Sequence, residues 1–464
     1  MQKKVDTIII GAGMSGLAAG IRLSMYNKKV LIIEKHTITG GLNSYYARGK
    51  RKFDVGLHAL TNFVGPSERG KPFNKLLKQL RIPYEEFKIH PQNYSMIQFP
   101  EKSLKFTNEI EYFIEEISRQ FPAEIDGFMS LINHIKNFNE VDLSNETVMA
   151  KDVVANFIKN KSLIEMIFCP LLIYGSAWEN DMDFSQFVIM FKSIFLEGFG
   201  RPEGGVRTII DLLLKRLEVC GGEIQFKSEI TRIITNNGKV TAVEINGKDI
   251  IECDSILSSM GLPETMSVVD QDLEYSPRVG NLSFTESILI TDKKPRDLGI
   301  DATIIFYNNR PEYHYLKPQT LFDSESAVVC FPNNFLHDDF DEGVLRVTNI
   351  ANFDLWNQEL LLSRESYQEK KLDVYNQSLA ILKKCGMSSE FSVNFKDIFT
   401  PTTIKRYTNH FGGTVYGSID KSRNGSTPIS GLYICGTDQG FLGIVGSMLS
   451  GISMANLHVL QGSL

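Results

Sequence analysis

The first forty residues constrain this chain more than any other stretch. Residues 5–10, Val-Asp-Thr-Ile-Ile-Ile, are a short β-branched run of the kind that forms a buried parallel strand. Gly11-Ala12-Gly13-Met14-Ser15-Gly16 follows, and Leu17-Ala18-Ala19-Gly20-Ile21-Arg22-Leu23 then reads as a helix. The glycines of such a turn differ in what they permit. Gly11 lets the chain leave the strand sharply, Gly13 lets backbone approach a diphosphate, and Gly16 lets helix and strand pack closely. The backbone of Ala12, Met14 and Ser15 opens the helix N-terminus, where free N–H groups and the helix dipole favour an anion. A second strand, Lys29-Val30-Leu31-Ile32-Ile33, runs into Glu34 and Lys35. An acid about 20 residues past the turn is placed to accept the ribose hydroxyls of a dinucleotide. The unit predicts an α/β, doubly wound fold.

The spacing Glu34-x5-Gly40-Gly41, continuing into Leu42 and Asn43, resembles the flavoprotein amine oxidase and phytoene desaturase superfamily. That resemblance implies FAD as cofactor, with the second glycine pair passing near its diphosphate and flavin; NAD dehydrogenases lack the pair. Phe53-Asp54-Val55-Gly56-Leu57-His58 looks like the strand that follows in the family. Arg201-Pro202-Glu203-Gly204-Gly205-Val206, an amphipathic helix carrying Ile209, Leu212, Leu213 and Leu217, then Gly221-Gly222-Glu223-Ile224 and strands through Ile230 and Val243, repeat another family block. There the residue at Ile230 is implied to meet adenine through its backbone. Near the carboxyl end, Gly431-Leu432-Tyr433-Ile434-Cys435-Gly436-Thr437-Asp438 and Gly443-Ile444-Val445-Gly446 are closest to the carotenoid isomerase and retinol saturase branch, in which this segment closes over the flavin. The common desaturase pattern has a glycine where this chain has Leu442. The resemblance implies a Rossmann-like FAD-binding domain of glutathione-reductase type (residues 1–60, 200–265 and 400–464) with an interleaved α+β substrate domain (61–199 and 266–399). Expected cofactor residues are Gly11, Ala12, Gly13, Met14, Ser15, Gly16, Glu34, Lys35, Gly40, Gly41, Leu42, Asn43, Ile230, Gly436, Asp438, Gly443, Ile444 and Val445.

At 464 residues the chain is too long for a single core, which agrees with two packed domains. A net charge of -6 lacks the basic footprint of a nucleic-acid binder. The six cysteines are scattered without a Cys-x-x-Cys pair and read as reduced thiols of a cytoplasmic protein. No cleavable leader is expected ahead of Val5, nor a run of about 18 uninterrupted apolar residues that would span a membrane. The run Arg48-Gly49-Lys50-Arg51-Lys52 reads as a solvated hairpin tip, with contact to an acidic membrane face as the alternative. His337-Asp338-Asp339-Phe340-Asp341-Glu342 reads as an exposed loop. The eight histidines show no paired ligand spacing, so no metal site is expected.

Between the cofactor blocks the chain is apolar and aromatic. Ile110, Phe113, Ile114, Ile117 and Phe121 repeat at helical spacing until Pro122, and a second helix carries Phe128, Leu131, Ile132 and Ile135. A stripe from Phe184 to Phe195 belongs to a helix apolar nearly all round. Phe187, Phe191 and Phe195 are candidates for the wall of a tunnel for a lipophilic substrate; plain core and a membrane-facing surface are the other readings. The flavin would carry the hydride chemistry, so no acid–base pair need stand out. His58, Arg201 and Tyr416 are the candidate catalytic side chains, with Glu203 and Asp438 as further polar neighbours. The leading expectation is hydride transfer to or from carbon–carbon bonds of a hydrophobic polyene or isoprenoid-like substrate, by desaturation, saturation or isomerisation. Amine oxidation, or prenyl-lipid binding without catalysis as in Rab GDP-dissociation inhibitors, are the alternatives. The electron acceptor stays open between oxygen, quinone and nicotinamide.

Overall fold

In the computed structural model, which describes residues 4–271, 274–338 and 340–461, the opening run is a strand, Lys4–Ile10, inside a seven-stranded sheet. It lies parallel to Val30–Ile33 on one side and to Asp249–Ser258 on the other. Glu223–Gln225 adds the outer parallel strand, and Leu432–Ile434 pairs in parallel onto the far end of Asp249–Ser258. Ile230–Asn236 and Lys239–Ile245 complete the sheet as an antiparallel meander. Ile8 and Ile9 are both fully buried because both faces are covered, as a parallel strand requires. Ile9 packs under the helices Met14–Ser24, Val206–Val219 and Gly443–Met454, while Ile8 and Ile10 face Ile233, Val243 and Ile245 of the meander.

A second sheet also has seven strands. Its order is Val393–Phe399, Ser283–Thr291, Gly343–Ala351, Ser326–Cys330, Ile304–Asn308, Ser95–Gln98 and Ser103–Phe106. Every neighbour is antiparallel except the pair Ser95–Gln98 and Ile304–Asn308. Every position of Ser283–Thr291 and Gly343–Ala351 is buried. Leu289 and Val347 meet Ile381 and Leu382 of the helix Arg364–Lys384 on one face, whereas Phe284 and Ile350 meet the aromatic helices on the other.

Those helices follow the sequence pattern closely. Ile110–Gln120 ends at Phe121, Pro122 starts a short turn, and Ile125–Asn137 continues. Lys161–Gly175 packs against Phe184–Phe191, which passes into a π-helical turn at Lys192–Leu196. The hairpin Tyr45–Arg48 and Arg51–Asp54 turns at Gly49 and Lys50, with Arg51 paired to Glu342. The six cysteines carry no disulfide. Among the described residues one continuous helix, Gly443–Leu460, is long and apolar enough to cross a membrane, and it is more than half buried against the molecule itself.

Candidate active site

The first turn builds an open cradle. Gly11 turns at φ +94°, and its N–H donates to the carbonyl of Ile33 at 2.8 Å, which ties the turn to the second strand. A methyl group on Gly16 would lie 2.0 Å from the carbonyl oxygen of Gly11, so this glycine is fixed by packing. A methyl group on Gly13 would meet no atom within 4 Å, so its exposed backbone borders a cleft. Gly40 donates to Ala12 O at 2.9 Å, bringing the second glycine pair over the first turn. Glu34 is 8% exposed and accepts from Ala12 N–H through Oε2 and from His36 N–H through Oε1, each at 2.8 Å. A carboxylate has about four lone-pair sites, so two backbone donors leave capacity for two hydroxyls.

The cleft has a volume of about 330 Å³ and runs from Ile230, Lys35 and Val268 past Gly13, Ser15 and Gly41 to Asn43, Thr437 and Ser447. Leu42, Asn43, Thr437 and Ser447 also line a cavity of about 200 Å³, so the two spaces adjoin. Gly443 and Ile444, at the start of the C-terminal helix, border that cavity. The cradle has the open backbone and the length that an elongated dinucleotide needs, and the cleft leads into the cavity.

The cavity is mainly apolar, with Asn43, Thr437 and Ser447 on the side toward the cleft and a further polar edge. Ala59, Ile173, Met190, Phe284, Val328 and Val415 form its walls. His58, Glu286 and Thr348 form the polar edge. His58 Nε2 lies 3.1 Å from Thr348 Oγ1 and 3.4 Å from Glu286 Oε1. Arg346 donates through Nε to Glu286 at 2.5 Å, and through its other nitrogens to the carbonyls of Leu57 and Val55. Burial pushes the His58 pKa down, outweighing the upward pull of Glu286, so the ring is neutral near pH 7. Burial pushes the Glu286 carboxyl up, but the Arg346 guanidinium and the His58 hydrogen bond more than reverse this and keep it ionised. Tyr174 also lines the cavity; burial raises its pKa well above the usual phenol value, and its hydroxyl has no hydrogen-bond partner among the described residues.

Several expected site residues sit elsewhere. Phe187, Phe191 and Phe195 are at most 1% exposed and interlock in the helical core, Phe195 stacking on Phe113 at 4.5 Å and Phe187 on Phe168 at 4.9 Å. They do not line the cavity; Met190, on another face of the same helix, does. Arg201 is not in the cavity either. It pairs with Asp54 at 2.6 Å, and Asp54 also accepts from Val206 N–H, so the pair holds the Gly204–Gly205 turn. Glu203 faces Lys88 at 3.9 Å rather than Arg201. Asp438 is 1% exposed and accepts from the amides of Leu262 and Ser418 and from Lys421 Nζ, so its carboxylate serves the protein's own loops. Val445 is fully buried, and Gly436 makes room for the Ser15 side chain, so neither lines the cleft. Tyr416 does reach the cavity, but its hydroxyl donates to the carbonyl of Ile173 and burial holds it protonated.

Glu286, Arg346 and Thr348 escaped the sequence reading because they lie on two strands far apart in the chain. The signal present was a lone charge inside each apolar run, Ser283-Phe-Thr-Glu286-Ser-Ile-Leu and Val344-Leu-Arg346-Val-Thr348. The fold also gathers His90, Glu203 and His337, from three separate segments, with one potential metal-ligand atom each within 4.8 Å of the others. His337 lies in the expected exposed loop; Asp339 of that loop is outside the described residues.

A Rossmann-type sheet, an open glycine turn facing an acid at the end of the second strand, and an adjoining apolar cavity define a flavin-type oxidoreductase. Residues 9–80 match the NAD(P)-binding Rossmann-like domain family. Over 98% of its length the chain is 25% identical to the chloroplastic prolycopene isomerase of Daucus carota, spanning 80% of that protein. It is 22% identical to the all-trans-retinol 13,14-reductase of Danio rerio over 98% of this chain and 87% of that protein. The fold matches the crystal structure of an oxidoreductase from Methanosarcina mazei with a TM-score of 0.67 and 18% identity, covering 97% and 99% of the two chains. It also matches a putrescine oxidase variant with a TM-score of 0.59 and 14% identity, covering 99% of each chain.

Proposed function

We propose that the protein is an FAD-dependent oxidoreductase acting on carbon–carbon bonds of a hydrophobic polyene or isoprenoid-like molecule. The observation that carries this reading is the mainly apolar cavity adjoining the dinucleotide cleft, with His58, Glu286 and Thr348 on one edge of it. Bound FAD would supply hydride transfer. Gly13, Ser15, Glu34 and Gly41 would hold its adenosine and diphosphate portions, and Asn43, Thr437 and Ser447 border the route to the reacting end. The apolar walls exclude water and align an extended hydrocarbon. Neutral His58 and protonated Tyr174 are the side chains that can hold a proton at the cavity edge. The similarity to a prolycopene isomerase and a retinol reductase supports the substrate class.

An amine substrate fits less well. The relatives similar over nearly the whole chain are named for prolycopene and retinol, whereas the likeness to a putrescine oxidase is 14% identity and one of fold. A lipid-binding protein without flavin would have no use for the open Gly13 cradle and its facing Glu34.

The test is anaerobic mixing of the purified yellow holoprotein with a panel of polyenes and amines, oxidised and chemically reduced, followed by flavin absorbance and product analysis. A polyene should change the flavin spectrum and be converted; bleaching by amines alone would overturn the reading. Heat release of the cofactor and chromatography against FAD and FMN standards identifies the flavin.

A further inference from the structure

We infer that the mouth of a second groove, beside the flavin site, docks onto an anionic lipid bilayer; this rests on the reading of an apolar substrate. The groove has a volume of about 770 Å³ and lies between the hairpin and the helices Phe353–Leu362, Arg364–Lys384 and Pro401–Thr408. It shares Leu42, Val55, Phe399 and Ile404 with the apolar cavity, so it leads from the surface to the site.

Two features meet at its mouth. Ile38, Leu360 and Tyr407 line the groove and are 46%, 43% and 56% exposed. Leu361 and Leu362 finish the helix that carries Leu360, and each is 78% exposed. A single exposed leucine needs no explanation, but apolar side chains from three chain segments around one opening do. The second feature is charge. Arg48, Arg364, Lys371 and Arg406 line the same groove, and none is ion-paired with a carboxylate among the described residues. The acid beside them, Asp397, accepts from the Tyr46 hydroxyl at 2.9 Å. Four cations that pair with no carboxylate among the described residues, on a chain of net charge -6, are a local reversal of sign.

Apolar side chains ringed by arginine and lysine are the composition that settles at a bilayer surface, the leucines at the acyl boundary and the cations at headgroup phosphates. A soluble anion would account for the cations but not for Leu361 and Leu362. A substrate that partitions into lipid would reach the cavity through this mouth without crossing water.

The test is co-sedimentation of the holoprotein with phosphatidylcholine vesicles, with and without phosphatidylglycerol. Binding should appear with phosphatidylglycerol, be weaker by roughly tenfold without it, and fall with salt. Leu361→Asp/Leu362→Asp and Arg364→Ser/Arg406→Ser should each lower it by roughly tenfold or more, with flavin content and melting temperature unchanged. Val219→Asp, at an exposed site on the helix Val206–Val219, should leave it unchanged. Wild-type protein that stays in the supernatant with both vesicles overturns the proposal, as does unaltered binding of the double leucine variant. Arginine-dependent binding of NADPH with no vesicle binding would replace it with a soluble reductant site. Turnover of a detergent-dispersed polyene without vesicle binding would sink the docking surface alone, and vesicle binding without polyene turnover would sink the substrate reading alone.

Discussion

Arg346 meets Glu286 on the diagonal of two adjacent antiparallel strands, where Glu286 is in register with Thr348 and Arg346 with Ile288. The same guanidinium reaches the carbonyls of Val55 and Leu57, so one buried cation fastens the second sheet to the loop that presents His58. Removing one member leaves the other charge buried without compensation. Arg346→Met should therefore cost about 3–5 kcal/mol, measured by denaturant unfolding of the holoprotein. Glu286→Gln combined with Arg346→Met should recover much of that loss; a double variant no better than the single one would show that the carbonyl contacts, not the ion pair, carry the stability.

The depressed pKa of His58 sets a pH dependence. Its folded value lies below the usual 6.5 because burial disfavours the charged ring. The stability contributed by the neutral ring is full above 6.5 and is lost as pH falls toward the folded value, since the unfolded chain takes up the proton first. On acidification through this range the melting temperature of the wild type should drop more steeply than that of His58→Asn. His410, whose pKa is raised, is common to both proteins and cancels in the comparison. Parallel curves would remove His58 as the cause.

Gly13 and Gly16 sit three residues apart and should behave oppositely. Gly13 has φ −74° and open space where a side chain would project, so Gly13→Val should fold with an unchanged melting temperature as apoprotein yet retain no flavin. Gly16→Ala drives a methyl into the Gly11 carbonyl and should cost about 1–3 kcal/mol or more through overpacking. Glu34→Ala should weaken flavin retention by about 1–3 kcal/mol, read by cofactor titration of the apoprotein; full retention would exclude the ribose role.

Phe191 and Met190 separate core from cavity on one helix. Phe191→Ala should destabilise by about 3–5 kcal/mol and leave kcat/KM of the folded fraction near wild type. Met190→Phe, which narrows the cavity, should raise KM for a bulky polyene with little change in melting temperature. The reverse outcome would restore the tunnel reading of the phenylalanine stripe.

The cofactor half of the molecule was legible because its physics is local. A strand, a turn that only glycine fits, a helix and an acid lie within 34 residues and needed no tertiary information. The helix break at Pro122 and the hairpin tip at Gly49 followed for the same reason. The half built on the second sheet was not local. Periodicity shows that Phe187, Phe191 and Phe195 belong to an apolar helix, but a helix buried on all sides has no face marked as cavity, and the cavity takes Met190 instead. Asp438 and Arg201 sit in family-like motifs, yet their partners, Leu262 with Ser418 and Asp54, come from distant segments. Glu286 and Arg346 became a pair only through strand register.

The packing of Gly451 on the Ser15 carbonyl, so close that a methyl there would lie 2.0 Å from the oxygen, has a bearing on biosynthesis. The helix that opens the nucleotide cradle, Met14–Ser24, is translated long before the helix that braces it and the strand Leu432–Ile434 that extends its sheet. A nascent chain must therefore shelter an incomplete sheet over that interval, and the cradle gains its brace only once the helix Gly443–Met454 has docked.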